Sequence, residues 1–139
     1  VTIYDTVTIV MSTDTARIRQ LGDFPAPGNA ITVPSGGAVS LFGMQIADSN
    51  IAAEAHGGNP MPVGTSVTFS IEGGGVLTQG LTSYVFPSTT APMGNIGIVL
   101  TANPVVPPAT PPNNTRLLMT VSVPGRQVQQ FTWPIVVTP

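Results

Sequence analysis

Polar and apolar residues alternate along much of the chain with a period of two, and proline and glycine repeatedly interrupt the alternation. The clearest case follows Gly57-Gly-Asn-Pro-Met-Pro-Val-Gly64, where Asn59 and Met61 each precede a proline and Gly64 is free to take a positive φ. That stretch is a stiff turn. From Thr65, Val67, Phe69 and Ile71 fall on one face and Thr68 and Ser70 on the other, until Gly73-Gly-Gly75 stops the pattern, so a half-buried strand is expected here.

Other segments follow the same rule. Thr2 to Val10 is dense in β-branched residues and predicts a first strand, with a short continuation over Arg17 to Leu21. Asp23-Phe-Pro-Ala-Pro-Gly-Asn29 then breaks the chain. Ile31 to Val33 predicts a short edge strand before Pro34. Across Ala38 to Ala47 the phase slips, from Val39 and Leu41 to Phe42, Met44 and Ile46, which predicts a bulge near Gly43 or burial on both faces. Asp48 to Glu54 is the one place where a helical turn is expected, capped by Asp48 or Ser49. Further strands are predicted at Val76 to Leu77, Leu81 to Phe86, Asn95 to Ala102, Arg116 to Val123 and Gln127 to Thr138, with Pro124-Gly125 as the turn between the last two. In the last strand Phe131, Trp133, Ile135 and Val137 share a face. Pro134 on the other face predicts an edge strand whose missing N–H meets solvent. Pro104 to Asn114 reads as an extended, polyproline-like connection.

About seven to nine strands at this spacing point to an all-β sandwich of two antiparallel sheets, with a β-barrel as the alternative. The expected core is Val39, Leu41, Val67, Phe69, Ile71, Ile98, Leu117, Met119, Val121 and Trp133.

Composition narrows the function classes. The chain has 139 residues, enough for one domain with a sizeable core, and only 7% of them are charged, against roughly 25% in an average soluble protein. No lysine is present, and Arg17, Arg19, Arg116 and Arg126 are too few for a surface that neutralises phosphates, so nucleic acid is not an expected partner. Without cysteine there are no thiolate nucleophiles, cysteine-ligated metals or disulfides. No apolar run approaches the roughly 20 residues of a membrane span, and no signal peptide is evident. The start at Val1, without an initiator methionine, suggests a processed or excised piece of a longer protein.

Candidate chemistry is sparse. His56 with Glu54 and a nearby serine is the one conceivable nucleophilic set, but no Gly-x-Ser-x-Gly elbow accompanies it and His56 sits among glycines. Asp48, Asn50, Glu54 and Asn59 are oxygen ligands close in sequence, yet they lack the Asp-x-Asp-x-Asp-Gly spacing of a calcium loop; local side-chain to backbone bonds are the simpler reading. Gly73 to Gly75 has neither the lysine nor the helix of a phosphate loop. Trp133 and Phe131 suggest either a sugar platform or core, and their shared phase with Ile135 and Val137 favours core. Asn113-Asn114-Thr115 fits the spacing of a glycosylation acceptor. No catalytic residue, metal ligand or cofactor is therefore expected, and any ligand-binding residues stay unassigned.

Gln45-Ile-Ala-Asp48 and Gly58-Asn-Pro-Met-Pro-Val-Gly-Thr-Ser-Val-Thr-Phe-Ser70, followed by Glu72-Gly-Gly-Gly-Val-Leu77, together resemble the bacterial immunoglobulin-like domains of invasin, intimin and related surface proteins and lipoproteins. Asn95 to Thr101 resembles a later strand of that family. The likeness spans Ile31 to Ala102, and two features depart from it: the insert Ser49 to His56 and the proline connection after Asn103. It implies an immunoglobulin-like sandwich over residues 25–139, with residues 1–24 as the closing strand of a preceding repeat. It also implies an extracellular, cell-surface or periplasmic setting in a bacterium. The expected role is a non-enzymatic structural spacer or adhesion module. Its expected partners are neighbouring domains of the same polypeptide and a surface protein or glycan ligand. The alternative is a carbohydrate- or receptor-binding module that uses the insert and the proline connection.

Overall fold

The computed structural model describes residues 12–13, 15–50, 58–80, 83–87, 93–105 and 114–139. The strand expected over Thr2 to Val10 lies outside them, as do His56, Glu54 and most of the insert and of the proline connection. The described residues form nine strands and no helix: β1 (Ala16–Gln20), β2 (Ile31–Pro34), β3 (Ala38–Asp48), β4 (Ser66–Glu72), β5 (Val76–Gly80), β6 (Ser83–Val85), β7 (Met93–Ala102), β8 (Arg116–Ser122) and β9 (Gln129–Thr138). They make two sheets, in the orders β1-β3-β7-β5 and β2-β9-β8-β4-β6. Asp48 is the last residue of β3, and residues 51–54 of the helical turn expected after it lie outside the described residues.

Apolar alternation drives the two sheets together. Val67 and Phe69 of β4, Ile96, Ile98 and Leu100 of β7, Leu117, Met119 and Val121 of β8, and Trp133, Ile135 and Val137 of β9 are all buried in one cluster. Of the core expected from sequence, only Val39 and Ile71 are partly rather than fully buried. Three further large side chains, Phe24, Met61 and Phe86, come from connections rather than strands and are at most 1% exposed. Each sits beside a proline. The ring fixes an extended backbone there, which lets the neighbouring side chain plug the sandwich without helix or strand around it.

Two expectations are corrected. The sheets are not both wholly antiparallel, since β2 runs parallel to β9, with Ile31 opposite Ile135 and Pro34 opposite Thr138. The reason lies at the phase slip in β3. Leu41 pairs with Ile98 and Met44 with Ile96, so Phe42 and Gly43 together oppose one residue of β7, and Gly43 has φ 84°. The bulge turns its backbone outward to the segment after β1: Gly43 C=O accepts from Leu21 N–H, Phe42 C=O from Phe24 N–H at 2.9 Å, and Phe42 N–H donates to Asp23 Oδ1 at 2.9 Å. Thus anchored, the chain leaves the edge of the four-stranded sheet and crosses to the edge of the other without reversing, which makes β2 parallel to β9.

The second correction concerns β9. It is an interior strand between β2 and β8, not an edge. Ile135 N–H donates to Thr115 C=O on the β8 side, at 2.9 Å, so Pro134 presents its missing donor to the β2 side. There β2 begins pairing only at Ile31, opposite Ile135, while Thr132 C=O accepts from Gly28 N–H at 2.8 Å. The proline thus lies just before the stretch of β9 that β2 pairs.

The turns follow their sequences. Thr65 N–H donates to Pro62 C=O at 3.1 Å around Val63-Gly64, and Gly64 has φ 85°, the third-position geometry of a type II turn. Arg126 N–H donates to Val123 C=O at 3.0 Å around Pro124-Gly125, joining antiparallel β8 and β9 as expected.

Candidate functional site

Two opposite poles carry the polar detail of the molecule. At the first, Asp48 is fully buried at the end of β3. Its Oδ2 accepts from Thr13 N–H at 2.9 Å and its Oδ1 from Asn50 N–H at 3.0 Å, an Asx turn. The backbone of Asp48 is tied on both sides as well: its N–H donates to Asn59 C=O at 3.0 Å, and Arg17 Nε donates to its C=O at 3.3 Å. Around it Thr13 Oγ1 accepts from Ser49 N–H at 3.0 Å and lies 2.8 Å from Ser49 Oγ. One carboxylate therefore joins the chain entering the sandwich, the end of β3 and, through the Asp48 amide, the Gly58-Asn-Pro-Met-Pro turn.

The oxygen ligands weighed as a calcium set divide accordingly. Both Asp48 oxygens are occupied by backbone donors, Asn59 contributes its carbonyl to the Asp48 amide, and Glu54 lies outside the described residues. Among the described residues no group of three or more His, Asp or Glu side chains converges on one point. Replacing Asp48 with alanine is expected to strand the Thr13 and Asn50 amides and to cost about 1–3 kcal/mol, because buried unpaired donors carry their desolvation penalty. Amide exchange checks this: Thr13 and Asn50 should lose protection before the strands do.

The second pole gathers the Glu72-Gly75 turn, Thr115 and the end of β9. Thr115 Oγ1 donates to Gly74 C=O at 2.7 Å, Asn103 N–H to Gly75 C=O at 2.8 Å, Val105 N–H to Ser35 Oγ at 2.7 Å and Ser35 N–H to Thr138 C=O at 2.8 Å. The glycine turn is thus closed by its own neighbours. Glu72 and Arg116 face one another across β4 and β8 and form an ion pair, but both side chains are about half exposed, where such pairs contribute little.

Trp133 is fully buried. Its Nε1 donates to Pro25 C=O at 2.8 Å and its ring meets Phe24 edge to face, with centroids 5.4 Å apart, so it is core and no sugar platform. Described residues also line two open grooves. One of about 380 Å³ is lined by Asn114, Thr115, Arg116, Thr132 and Pro134, and another of about 390 Å³ by Thr15, Arg126, Gln127, Val128 and Gln129. The one ionisable side chain in either lining is an arginine.

No protein-family model, curated protein or solved structure matches the chain. What the residues themselves offer is the relation between the poles. The chain comes in beside Asp48 and Gln129, whose Oε1 accepts from Ala16 N–H at 2.7 Å, and β9 runs from Gln129 to Thr138 at the far end. Ten strand residues carry it about 30 Å. No helix among the described residues is long and apolar enough to cross a membrane.

Proposed function

We propose that this chain is an immunoglobulin-like module of the invasin and intimin kind, working as a non-enzymatic spacer or adhesion element in a bacterial secreted or surface protein. The observation that carries the reading is the placement of entry and exit at opposite poles, each fastened by hydrogen bonds to the sandwich: Thr13 by Asp48, Thr138 by Ser35. A module so wired transmits its length to whatever adjoins it. The sparse ionisable groups also fit, since the described carboxylates and arginines that line the poles are engaged in holding turns and strands together. The motif residues that suggest the family have matching tasks, with Asp48 and Asn59 bonded to each other and Val67 and Phe69 filling the core.

Two copies expressed as one chain provide the test. Small-angle scattering should give a maximum dimension close to twice that of one copy, with a narrow distribution of shapes. Copies folded side by side would sink the spacer reading. Saturable binding to a glycan array that disappears when residues 49–56 are replaced by a Gly-Asn turn would transfer the function to recognition at the first pole.

A further inference from the structure

A sheet edge offers unpaired backbone groups to any other strand, and β proteins blunt such edges with charge, proline or brevity. Among the described strands three of the four sheet edges are blunted: β1 carries Arg17 and Arg19, β2 is four residues long and ends in Pro34, and β6 has three residues. The fourth, β5, has none of these devices. Its five residues, Val76-Leu-Thr-Gln-Gly80, lie in a stretch without any charged residue from Gly73 to Thr115.

The open side of β5 can be identified residue by residue. Asn103 N–H donates to Gly75 C=O, so Gly75 faces β7, and with the observed register Leu77 bonds Thr101 and Gln79 bonds Val99. Val76, Thr78 and Gly80 consequently direct their backbone groups away from β7, where no strand adjoins them among the described residues. On the solvent face Leu77 is 61% exposed and Phe42 of β3 60% exposed, with the partly buried Val99 on β7 between those two strands.

We propose that β5 is a self-association edge, on which a second copy of this chain pairs antiparallel about a two-fold axis at Thr78. Thr78 then lies opposite its own counterpart and Val76 opposite Gly80, and two four-stranded sheets become one of eight. The occupant follows from charge and symmetry. A two-fold sets like beside like, so a charged edge repels its copy, and β5 alone among the four edges is a strand of five or more residues that presents no charge or proline to itself. Backbone donors and acceptors of an antiparallel edge are self-complementary under that rotation. Each Leu77 also gains cover beside the partner strand. A five-residue contact is small, so the association is weak and reversible. It is independent of the spacer reading, since it uses a lateral edge and neither pole.

Sedimentation over a broad concentration range, together with amide exchange, tests it on the intact chain. A monomer–dimer equilibrium is expected, with exchange at Val76, Thr78 and Gly80 slowing as concentration rises while Leu77 and Gln79 stay protected throughout. Thr78→Pro removes an outward N–H along with a partly buried side chain, and Leu77→Lys places like charges about the axis; each should weaken association by about tenfold or more. Because Leu77 is exposed, the lysine variant keeps its fold even if the proline variant does not. A monomer at every concentration overturns the proposal, as does a dimer that Leu77→Lys leaves intact or one whose added protection falls on β1, β2 or β6.

Discussion

Trp133→Ala should lower stability by about 3–5 kcal/mol, a large part of the roughly 5–15 kcal/mol that holds an ordinary domain folded. Three losses combine. The indole is fully buried at the centre of β9, its removal leaves a cavity between the sheets, and the Pro25 carbonyl loses its donor at 2.8 Å. The edge-to-face contact with Phe24 goes too, and Phe24 is what fastens the crossover from β1 to β2. Chemical denaturation followed by far-ultraviolet circular dichroism measures the effect, because the chain has one tryptophan and the variant none. Trp133→Phe separates the terms: it keeps most of the volume and loses the hydrogen bond, so a cost of about 1–2 kcal/mol is expected. A wild-type-like midpoint for the alanine variant would show that the sheets do not close on this residue.

Gly43→Ala should be nearly as damaging, by a different route. The backbone at Gly43 has φ 84°, where a side chain is strained, and an added Cβ would lie 2.3 Å from the nitrogen and 2.4 Å from the Cα of Gly22. Those are main-chain atoms held by the hydrogen bonds of the bulge and cannot step aside singly. Strain at the dihedral costs of order 1–3 kcal/mol, and relief of the clash requires giving up the Leu21 to Gly43 bond as well. The expected result is a clearly lowered melting temperature together with loss of amide protection at Leu21 and Phe24, while β4, β8 and β9 keep theirs. Gly97→Ala, on the facing position of β7, is the contrast: its nearest non-neighbour atom would be 3.5 Å away, an ordinary contact, so a small effect is expected.

These two positions also show what the sequence made legible. The phase slip between Leu41 and Met44 announced a bulge, and the shared phase of Trp133, Ile135 and Val137 announced a core face, because side-chain alternation is written directly into the residue order. Strand partners are not. Nothing in Ile31-Thr-Val-Pro34 tells that it lies parallel to β9, since the deciding contacts are backbone bonds between the bulge and Leu21 and Phe24. Pro134 misled for a related reason: proline marks a missing donor, and whether a whole strand or one ladder position must tolerate it depends on where β2 begins. Phe24, Met61 and Phe86 lacked periodicity but shared a signal, a large apolar side chain next to proline. At the first pole Asp48 was recognised as an Asx residue. That its carboxylate also holds Thr13 was hidden, because the partner is 35 positions away and contributes a backbone amide that every residue has.

The course of β1 and β9 also fixes how the molecule bears a load. Tension between Thr13 and Pro139 pulls β1 from its Ala16 end and β9 from its Thr138 end, in opposite directions along the strands. The bonds of β1 to β3 and of β9 to β8 run across that pull, so a whole ladder must slide before any of it parts. A pull applied sideways to β6 would instead open three pairs one after another. The sandwich is therefore anisotropic: stiff end to end, and easily peeled at its flank.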